Sequence, residues 1–520
     1  MRTDPRQLDG KRFDLVIIGG GIQGAAIARE AACRRIATLL VEKTDFAVGT
    51  SSRSSRLVHG GLRYLQQGNI ALVKEALHER ERLLRLAPHL VRPLPVLLPF
   101  FPDSGGSRLL SWIGVHAYSW LAGRSTMPSP RRMSAREAIA AFPGLRTNGL
   151  RGAVQYYDAA TSDARLTLAN VRAAHAAGAV VANGCELLGA NANGALRLLD
   201  AFTGAEVAVH ATHVVNAAGP RADAVRRLLG LDSADLVRTS RGTHLILDAR
   251  KGETSLAAFL PDKRIQFVVP HQDGTLTGTT DVYEDATEEE PTPPQDDVRY
   301  LLDALAHMLD PAPTMRDVRF AYCGWRSLPA QKGPAGAINR EAFLVQESSR
   351  GGALHTAVGG KLTTHRAFAE RVVAQVFGID GRDSRTRTEP LPGGGGAREP
   401  LDPLWWRHGS EASAIRAMAN GTASALQPIC PHRPFLRVEA MHAMRVLAAS
   451  TFSDLMLRRL VHAQGPCMEP QCLRAAHDLF LRERRIDVDS DFDAATSKLG
   501  EEIERLTGGI VPRARSEVAR

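Results

Sequence analysis

The chain has 520 residues, which is too long for one hydrophobic core, so its length predicts two or three domains. Hydrophobic residues make up 44% and charged residues 23%, the balance of an ordinary globular protein. The net charge is +9, but lysine and arginine are scattered and aromatic residues are only 5%, which argues against a nucleic-acid-binding protein. The positive excess instead suits an anionic substrate or an anionic lipid surface.

The cysteines and the apolar runs indicate the cellular compartment of the protein. The six cysteines are dispersed and predict no disulfide framework, so we expect a reducing compartment. Residues 1–12 are polar and lack the apolar core of a signal peptide. No apolar run approaches the roughly 20 residues of a membrane helix, so any membrane contact is expected to be peripheral.

The first elements in chain order are a buried strand at 13–18 and the glycine motif G-x-G-x-x-G at Gly19, Gly21 and Gly24. An alanine-rich helix, a second strand and Glu42 follow, which completes the dinucleotide-binding fingerprint. We expect Gly19 to make the tight turn, Gly21 to admit the pyrophosphate and Gly24 to let helix and strand pack closely. Glu42 would accept hydrogen bonds from the adenosine ribose. The fingerprint alone does not choose between FAD and NAD.

The next stretch, residues 50–65, combines five hydroxyls, three arginines, one histidine and the pair Gly60–Gly61. Hydroxyl and guanidinium groups bind phosphate, and paired glycines let the backbone approach a flat ring. We therefore predict the wall of a site that holds a phosphate-bearing cofactor against a small anionic substrate. The position of this stretch favours FAD, whose extended form needs a second contact surface. A polar loop leading into a helix is the alternative.

Later segments are expected to complete the site and the remaining layers. The strand at 213–220 ends in small residues that would border the cofactor, and glycines at 359–364 would let the backbone approach the flavin. The aromatic pattern at 109–121 predicts an amphipathic helix that belongs to a core or interface, or lies on a membrane. Prolines in 94–101 predict an edge strand or loop, and the acidic residues 285–297 predict a solvated loop.

Eight segments resemble the FAD-dependent glycerol-3-phosphate dehydrogenases, within the D-amino-acid-oxidase-like flavoprotein superfamily. These segments are 17–25, 50–65, 163–166, 216–220, 241–244, 278–281, 359–364 and 391–394. The resemblance covers about residues 12–395, and its most specific part is 50–65.

The resemblance implies an α/β fold with three parts: an FAD-binding Rossmann-like domain of the two-dinucleotide-binding type, a mixed-sheet substrate-capping domain and a C-terminal helical domain. The implied boundaries are an oxidoreductase body at 12–390, a linker at 391–401 and the helical domain at 402–510. The glycines at 391–396 predict that this linker is a flexible hinge. Within the body, the FAD-binding segments are about 12–90, 150–235 and 318–380, and the capping segments are about 91–149 and 236–317.

The resemblance also implies an activity. Family members oxidise sn-glycerol 3-phosphate to dihydroxyacetone phosphate and pass electrons to FAD, then to a quinone or, in an oxidase branch, to oxygen. We accordingly expect a cytoplasmic protein in peripheral contact with the inner face of the cytoplasmic membrane, and a homodimer is compatible with the family. Neither nucleic acid nor a metal is expected as a partner.

The reaction needs a base beside the substrate alcohol and cations for its phosphate. His244 is the first choice for the base and His59 the second, although a histidine at either place can also be a structural hydrogen-bonding residue. Arg63, Arg326 and Lys361 are implied as phosphate ligands, and Arg326 is also counted as catalytic. The implied cofactor-binding residues are Gly19, Gly21, Gly24, Glu42, Thr50, Ser51, Ser52, Arg56, His59, Gly60, Gly61, Ala218, Gly219, Gly360, Lys361, Leu362 and Thr363.

Some residues depart from the family pattern. The family usually shows Gly-x-Arg-Pro-Leu where this chain has the bulky Trp325 before Arg326 and Ser327 in place of the proline. In the C-terminal part, His442 stands where an aromatic residue is expected, and Leu447 stands where an acid is expected. Two alternative functions therefore stay open: a flavin oxidase of the same fold acting on an amine or another hydroxy acid, and a non-catalytic flavoprotein bound to anionic lipid.

One further pattern concerns metal binding. His462, Cys467, Cys472 and His477 are spaced five residues apart. Zinc sites usually show tighter cysteine pairs, so we predict helix and loop residues here and no metal site.

Overall fold

The structure is a computed structural model, and it describes residues 1–520 except 67, 103–107, 249–251, 261–263, 273, 285–289, 332–340, 398, 400, 466, 485–489 and 511–520. The side chains of Arg63, Gln66 and Arg108 also lie outside the described part.

The strands in chain order are β1 (Arg12–Ile18), β2 (Thr38–Glu42), β3 (Leu57–Val58), β4 (Val91–Pro99), β5 (Arg131–Met133), β6 (Ala153–Thr161), β7 (Val180–Asn183), β8 (Cys185–Ala190), β9 (Leu196–Asp200), β10 (Glu206–Asn216), β11 (Val237–Leu247), β12 (Ser255–Phe259), β13 (Ile265–His271), β14 (Gly274–Gly278), β15 (Val282–Tyr283), β16 (Val318–Pro329), β17 (Phe343–Ser349), β18 (Gly352–Val358), β19 (Pro428–Cys430) and β20 (Arg433–Leu436).

The α-helices are α1 (Ile22–Cys33), α2 (Leu62–Gln66), α3 (Ile70–Leu86), α4 (Arg108–Leu121), α5 (Ala135–Ala141), α6 (Asp163–Ala176), α7 (Ala222–Leu228), α8 (Gln295–Ala306), α9 (His365–Phe377), α10 (Pro403–His408), α11 (Ala412–Ala417), α12 (Arg437–Arg445), α13 (Pro470–Glu483) and α14 (Phe492–Thr507). A π-helical turn spans Asp454–Arg459.

The first sheet has the strand order β17-β18-β10-β1-β2-β7, with β8 and β9 extending it beside β10. The four strands β18, β10, β1 and β2 run parallel, as does β7. Their apolar runs are buried because α1, α6 and α9 pack on the sheet, as parallel sheets require. The carboxyl ends of β1, β2 and β10 meet at one edge, which is where ligands bind in such sheets.

The second sheet has the order β15-β11-β14-β13-β12-β4-β6-β3, with β16 beside β11 and β5 beside β6. It includes β3, β6 and β16, so its strands extend beyond the two segments assigned to the capping domain from sequence. Strand β4 is internal, because it pairs with β6 over its whole length and with β12 at Val96 and Leu97. The prolines of β4 are tolerated because the contact with β12 falls between Pro95 and Pro99.

The C-terminal region consists of helices α10–α14 and the hairpin β19–β20. Buried ion pairs attach it to the first sheet: Asp45 lies 2.6 Å from Arg458 and 2.6 Å from Arg459. Two of the connecting glycines are tightly packed: a Cβ atom on Gly394 would lie 2.0 Å from the Leu86 carbonyl oxygen, and one on Gly393 would lie 2.4 Å from the His408 carbonyl oxygen, whereas one on Gly395 would meet nothing within 4 Å. We therefore interpret Gly393 and Gly394 as a close-packed connection, in place of the flexible hinge expected from sequence.

No helix within the described ranges is both long and apolar enough to span a bilayer. The α/β body and the mainly helical C-terminal region agree with the predicted fold class.

Buried histidines make the stability of the fold depend on pH. Burial lowers the pKa values to about 3 or about 4 at His89, His244, His442, His355 and His365. In the unfolded chain these groups bind protons below about pH 6.5, whereas in the fold they stay neutral, so the free energy of unfolding decreases as pH falls through this window. We expect the thermal midpoint to drop by about 5 °C between pH 7 and pH 5.

Differential scanning fluorimetry across this range measures the effect. The His89→Gln variant removes one titrating group and should show a shallower dependence on pH. A midpoint that is constant or rises on acidification would be inconsistent with these buried neutral imidazoles.

Candidate active site

A cavity of about 1040 Å³ lies between the two sheets, at the carboxyl edge of β1, β2 and β10. It is lined by parts of the glycine turn, the 50–61 stretch, the end of β10, strands β11 and β16, and the 359–363 turn. The predicted site residues that line it are Gly19, Gly21, Glu42, Thr50, Ser51, His59, Gly60, Gly61, Ala218, Gly219, His244, Arg326, Gly360, Lys361, Leu362 and Thr363.

The glycine turn forms one end of the cavity and has the geometry that a dinucleotide needs. Gly19 has φ +108°, and a Cβ atom on it would lie 2.7 Å from the Ala217 carbonyl oxygen. A Cβ atom on Gly24 would lie 2.0 Å from the Gly19 carbonyl oxygen, so α1 packs directly against the turn. The amino end of α1 therefore faces the cavity, where its dipole favours phosphate.

Two side chains fix this turn. Ser51 Oγ accepts a hydrogen bond of 2.9 Å from the Ile22 backbone N–H at the start of α1. Glu42, the last residue of β2, accepts a 2.7 Å hydrogen bond from the Gly20 N–H. Burial raises the pKa of Glu42, and the backbone hydrogen bonds oppose this shift. The cradle free of Cβ atoms, the helix end and the acid on β2 fit the adenosine diphosphate half of FAD.

We expect Gly19→Ala to abolish most flavin binding, because the new methyl group collides with the backbone at Ala217 and displaces both walls of the turn. Gly178→Ala is a matched control: its φ of +105° is almost the same, but a Cβ atom there meets nothing within 4 Å. The ratio of flavin absorbance to protein absorbance after purification measures occupancy. We predict a drop of at least about tenfold for Gly19→Ala alone. Equal flavin content in both variants would rule out this role for the turn.

The 50–61 stretch is held in place by buried polar partners. The Ser54 hydroxyl donates to Asp163 Oδ2 at 2.7 Å, and the Thr50 hydroxyl donates to the Trp325 carbonyl at 2.6 Å. The Gly60 N–H donates to the Tyr118 hydroxyl at 2.7 Å, which places the Gly60–Gly61 backbone at the cavity wall. These contacts give the stretch one defined conformation, as a surface that contacts a cofactor requires.

His244 lies on β11 in the cavity wall and is buried. Its Nε2 is 2.8 Å from the Ser55 hydroxyl, and its ring stacks on Tyr322 with centroids 5.2 Å apart. Burial, reinforced by the charges of Arg326 and Arg56, lowers its pKa to about 3. The imidazole is therefore neutral at pH 7 and able to accept a proton.

Arg326 lies on β16, which pairs with β11. Its guanidinium donates hydrogen bonds of 3.1 Å to Asp281 and 2.8 Å to the Thr279 hydroxyl. A Cβ atom on Gly242 would lie 2.2 Å from Arg326 Nη2, so the guanidinium packs directly against Gly242. Gly242 lies two residues before His244 on β11. The structure thus brings a neutral base and an oriented cation to the same wall.

The second candidate base, His59, also lines the cavity. Its backbone N–H donates to Thr363 Oγ1 at 3.1 Å, and its ring lies edge-on to Phe267 at 6.0 Å. Lys361 Nζ lies 3.6 Å from the centre of the Tyr64 ring. Arg63 belongs to α2, but its side chain lies outside the described residues.

Three predicted cofactor-binding residues do not line the cavity: Gly24, Ser52 and Arg56. The Ser52 hydroxyl donates to the Val48 and Gly49 carbonyls, both at 3.2 Å, and so stabilises the local turn. Arg56 donates to Gln464 Oε1 at 2.6 Å, which connects the stretch to the C-terminal region. The close packing expected at Gly24 agrees with this geometry. Contact of Ser52 and Arg56 with the cofactor stays a prediction.

Sequence reasoning missed Glu290, a charged residue of the cavity wall, and Asp297, a buried acid outside the cavity lining. Glu290 lines the cavity and pairs with Arg53, and it also lies 3.5 Å from Arg221. Asp297 is buried and accepts a 2.9 Å hydrogen bond from the Thr280 hydroxyl. Both belong to the segment expected to be a solvated loop, of which residues 285–289 lie outside the described part. Their ion-pair partners are distant in sequence, so composition could not identify them.

Comparison with known proteins agrees with this geometry. A model of the FAD dependent oxidoreductase family DAO matches residues 14–366. The chain belongs to this family of FAD-dependent oxidoreductases. The glycerol-3-phosphate dehydrogenase of Synechocystis is 34% identical over 499 residues, which cover 88% of this chain and 90% of that protein. Glycerol-3-phosphate dehydrogenase 2 of Mycobacterium tuberculosis is 33% identical over 497 residues, which cover 90% and 84%.

Among solved structures, the FAD complex of the glycerol-3-phosphate dehydrogenase from Bacillus halodurans superposes with a TM-score of 0.74. It shares 26% identity and covers 97% of both chains. The predicted resemblance to FAD-dependent glycerol-3-phosphate dehydrogenases is thereby confirmed, and so is the assignment of the protein as an FAD-dependent oxidoreductase.

The residues that depart from the family pattern can now be placed. Trp325 is buried and lies outside the cavity lining, whereas Ser327 lies in it. The bulky tryptophan therefore does not fill the space beside Arg326, and the replacement that contacts the cavity is the small serine.

Proposed function

We propose that this FAD-dependent oxidoreductase converts sn-glycerol 3-phosphate to dihydroxyacetone phosphate. The observation that carries the proposal is the joint placement of His244 and Arg326 at one wall of the cavity. A neutral base beside an oriented guanidinium matches a small alcohol that carries a phosphate group.

The protein's part in this reaction is to bind, orient and deprotonate. The cavity residues would hold FAD, which would supply an acceptor for the hydride of the carbon that bears the alcohol. Arg326 binds the phosphate, and Asp281 and Thr279 hold its guanidinium in position. His244 accepts the proton of the alcohol. The bound phosphate offsets the charge of Arg326, so it raises the pKa of His244 above its value in the ligand-free protein and makes it a stronger base.

A quinone is the proposed final electron acceptor, with attachment to the inner face of the cytoplasmic membrane. Steady-state oxidation of glycerol 3-phosphate should be fast with a soluble quinone analogue and slow with oxygen alone. Equal rates with oxygen alone would favour the oxidase alternative, and no turnover with either acceptor would exclude the proposed substrate.

The outer face of α4 supports membrane contact. Its inner face buries Val115 and Tyr118 against the body, while its outer face exposes large apolar side chains. The exposed fractions are 80% for Trp120, 69% for Leu110, 61% for Leu109 and 54% for Ile113. Exposed arginines lie nearby in the chain at Arg124, Arg131 and Arg132. An apolar face flanked by positive charge is typical of helices that lie on anionic membranes.

We expect the double variant Ile113→Ser/Trp120→Ser to lose most binding to vesicles that contain anionic lipid. Burial of two such side chains contributes about 3–6 kcal/mol to binding, so the partition coefficient should fall at least about a hundredfold. Leu401→Ser is the control, since Leu401 is 97% exposed but lies away from α4 in sequence. Co-sedimentation with vesicles measures the effect, and activity with a soluble acceptor should be unchanged. Equal vesicle binding by both variants would contradict a role of the outer face of α4 in membrane contact.

A further inference from the structure

Four side chains with metal-binding atoms meet in the C-terminal region, away from the cavity. The Sγ atoms of Cys430, Cys467 and Cys472 and a ring nitrogen of His432 all lie within 4.8 Å of one another. The Sγ atoms of Cys430 and Cys467 are 3.9 Å apart. His432 Nδ1 lies 3.2 Å from Cys467 Sγ and 3.6 Å from Cys472 Sγ. The three cysteines are buried, and the histidine is exposed at the surface.

These separations fit a single tetrahedral ion. With zinc–sulfur bonds of about 2.3 Å and zinc–nitrogen bonds of about 2.0 Å, tetrahedral angles put two sulfurs about 3.8 Å apart and a sulfur and a nitrogen about 3.5 Å apart. A cluster of two irons spreads its ligands over two metal atoms, so ligands of different irons lie farther apart than one tetrahedron allows. The observed distances therefore favour one ion.

We propose that one zinc ion binds in the C-terminal region, held by Cys430, His432, Cys467 and Cys472. Three thiolates and one imidazole are a donor set that zinc prefers, and four protein ligands leave no open position for a substrate. The ion is therefore structural.

The chain positions of the ligands show what the ion holds together. Cys430 ends β19 and His432 lies in the turn before β20, so these two ligands come from the hairpin. Cys467 precedes α13, and Cys472 lies in its first turn. Gln464, which accepts the hydrogen bond from Arg56, stands in the same loop as Cys467. The ion thus cross-links hairpin and helix next to a contact with the flavoprotein body.

The donor set of the cluster also suits a cation, because three cysteine sulfur atoms and one imidazole nitrogen face one another within it. A zinc ion deprotonates its cysteine ligands and neutralises the resulting charge, so metal binding contributes directly to folding.

The metal content of the purified full-length protein, expressed with added zinc, tests the proposal. Inductively coupled plasma mass spectrometry should find about one zinc per chain. Cys430→Ser and Cys472→Ser should each lower this ratio at least about tenfold. Cys33→Ser is the matched control, because Cys33 is buried in α1 and lies outside the cluster and the cavity lining, so it should keep its zinc.

A second measurement does not depend on the folding of variants. After removal of metal from the unmodified protein, cobalt(II) should bind and give the intense visible bands of a tetrahedral thiolate complex. Three results would overturn the proposal: no bound metal and no cobalt bands, iron with acid-labile sulfide, or a thiol titration that reveals a disulfide within the cluster. Flavin content and turnover are not used as readouts, so this test is independent of the proposed activity.

Discussion

Replacing His244 by glutamine is expected to lower the rate of flavin reduction by glycerol 3-phosphate about 10²- to 10⁴-fold, the usual contribution of a general base. The physical reason is that His244 is the proposed base, a buried imidazole on the same cavity wall as Arg326, hydrogen-bonded to Ser55 and stacked on Tyr322. Glutamine keeps a hydrogen-bonding group of similar reach but cannot accept the proton. Anaerobic stopped-flow measurement of flavin bleaching reports this step without any electron acceptor.

Two comparisons separate catalysis from structure. His59→Gln should have the smaller effect, because His59 is the second candidate base and its ring packs edge-on against Phe267. In His244→Ala, added imidazole should restore part of the rate, which a purely structural defect would not allow. A larger loss at His59, with no rescue at His244, would reverse the two assignments.

Replacing Arg326 by alanine is expected to raise the Michaelis constant for glycerol 3-phosphate about a hundredfold. Loss of a charge-assisted contact to phosphate in a partly buried site costs about 2–5 kcal/mol, and about 2.7 kcal/mol corresponds to that factor. The Michaelis constant for glycerol, which has no phosphate, should change little. Steady-state kinetics with both alcohols measure the difference.

Removing Arg326 also leaves Asp281 without this cation, and its negative charge would itself repel the substrate. The double variant Arg326→Ala/Asp281→Ala distinguishes the two effects, because it lacks the repulsion but also lacks the attraction. Arg238→Ala is the control: Arg238 lies on the same sheet, 3.8 Å from the Tyr283 ring centre, and is exposed. An unchanged Michaelis constant for glycerol 3-phosphate in Arg326→Ala would show that Arg326 does not bind the phosphate.

The parts of the fold that sequence predicted are those determined by local chemistry. The fingerprint was predictable because backbone conformation at Gly19 and close packing at Gly19 and Gly24 exclude a side chain there. Strand β4 was misjudged as an edge strand or loop, because its proline content is local while its pairing with β6 and β12 is not. Composition alone cannot show which distant strands pair.

For charged side chains too, sequence predicts local features but not contacts between distant segments. Arg56 was expected near the cofactor from the family resemblance, but its hydrogen bond to Gln464, more than four hundred residues away, could not be foreseen from its neighbours in sequence. The cluster that we propose as a zinc site was not predicted, because the sequence analysis considered the regular spacing of His462 to His477, while the residues of the cluster lie in two separate segments. These segments hold the close pair Cys430-x-His432 and the later pair Cys467 and Cys472, which only the folded hairpin and α13 bring together.

We propose that this cavity binds FAD and that a phosphorylated alcohol reduces the bound flavin. The most direct measurement is anaerobic titration of the purified protein with glycerol 3-phosphate, glycerol and a panel of amino acids, followed by flavin absorbance. We expect a yellow protein that is bleached rapidly by glycerol 3-phosphate and far more slowly by the other compounds. A colourless protein, or bleaching by an amino acid and none by glycerol 3-phosphate, would contradict it.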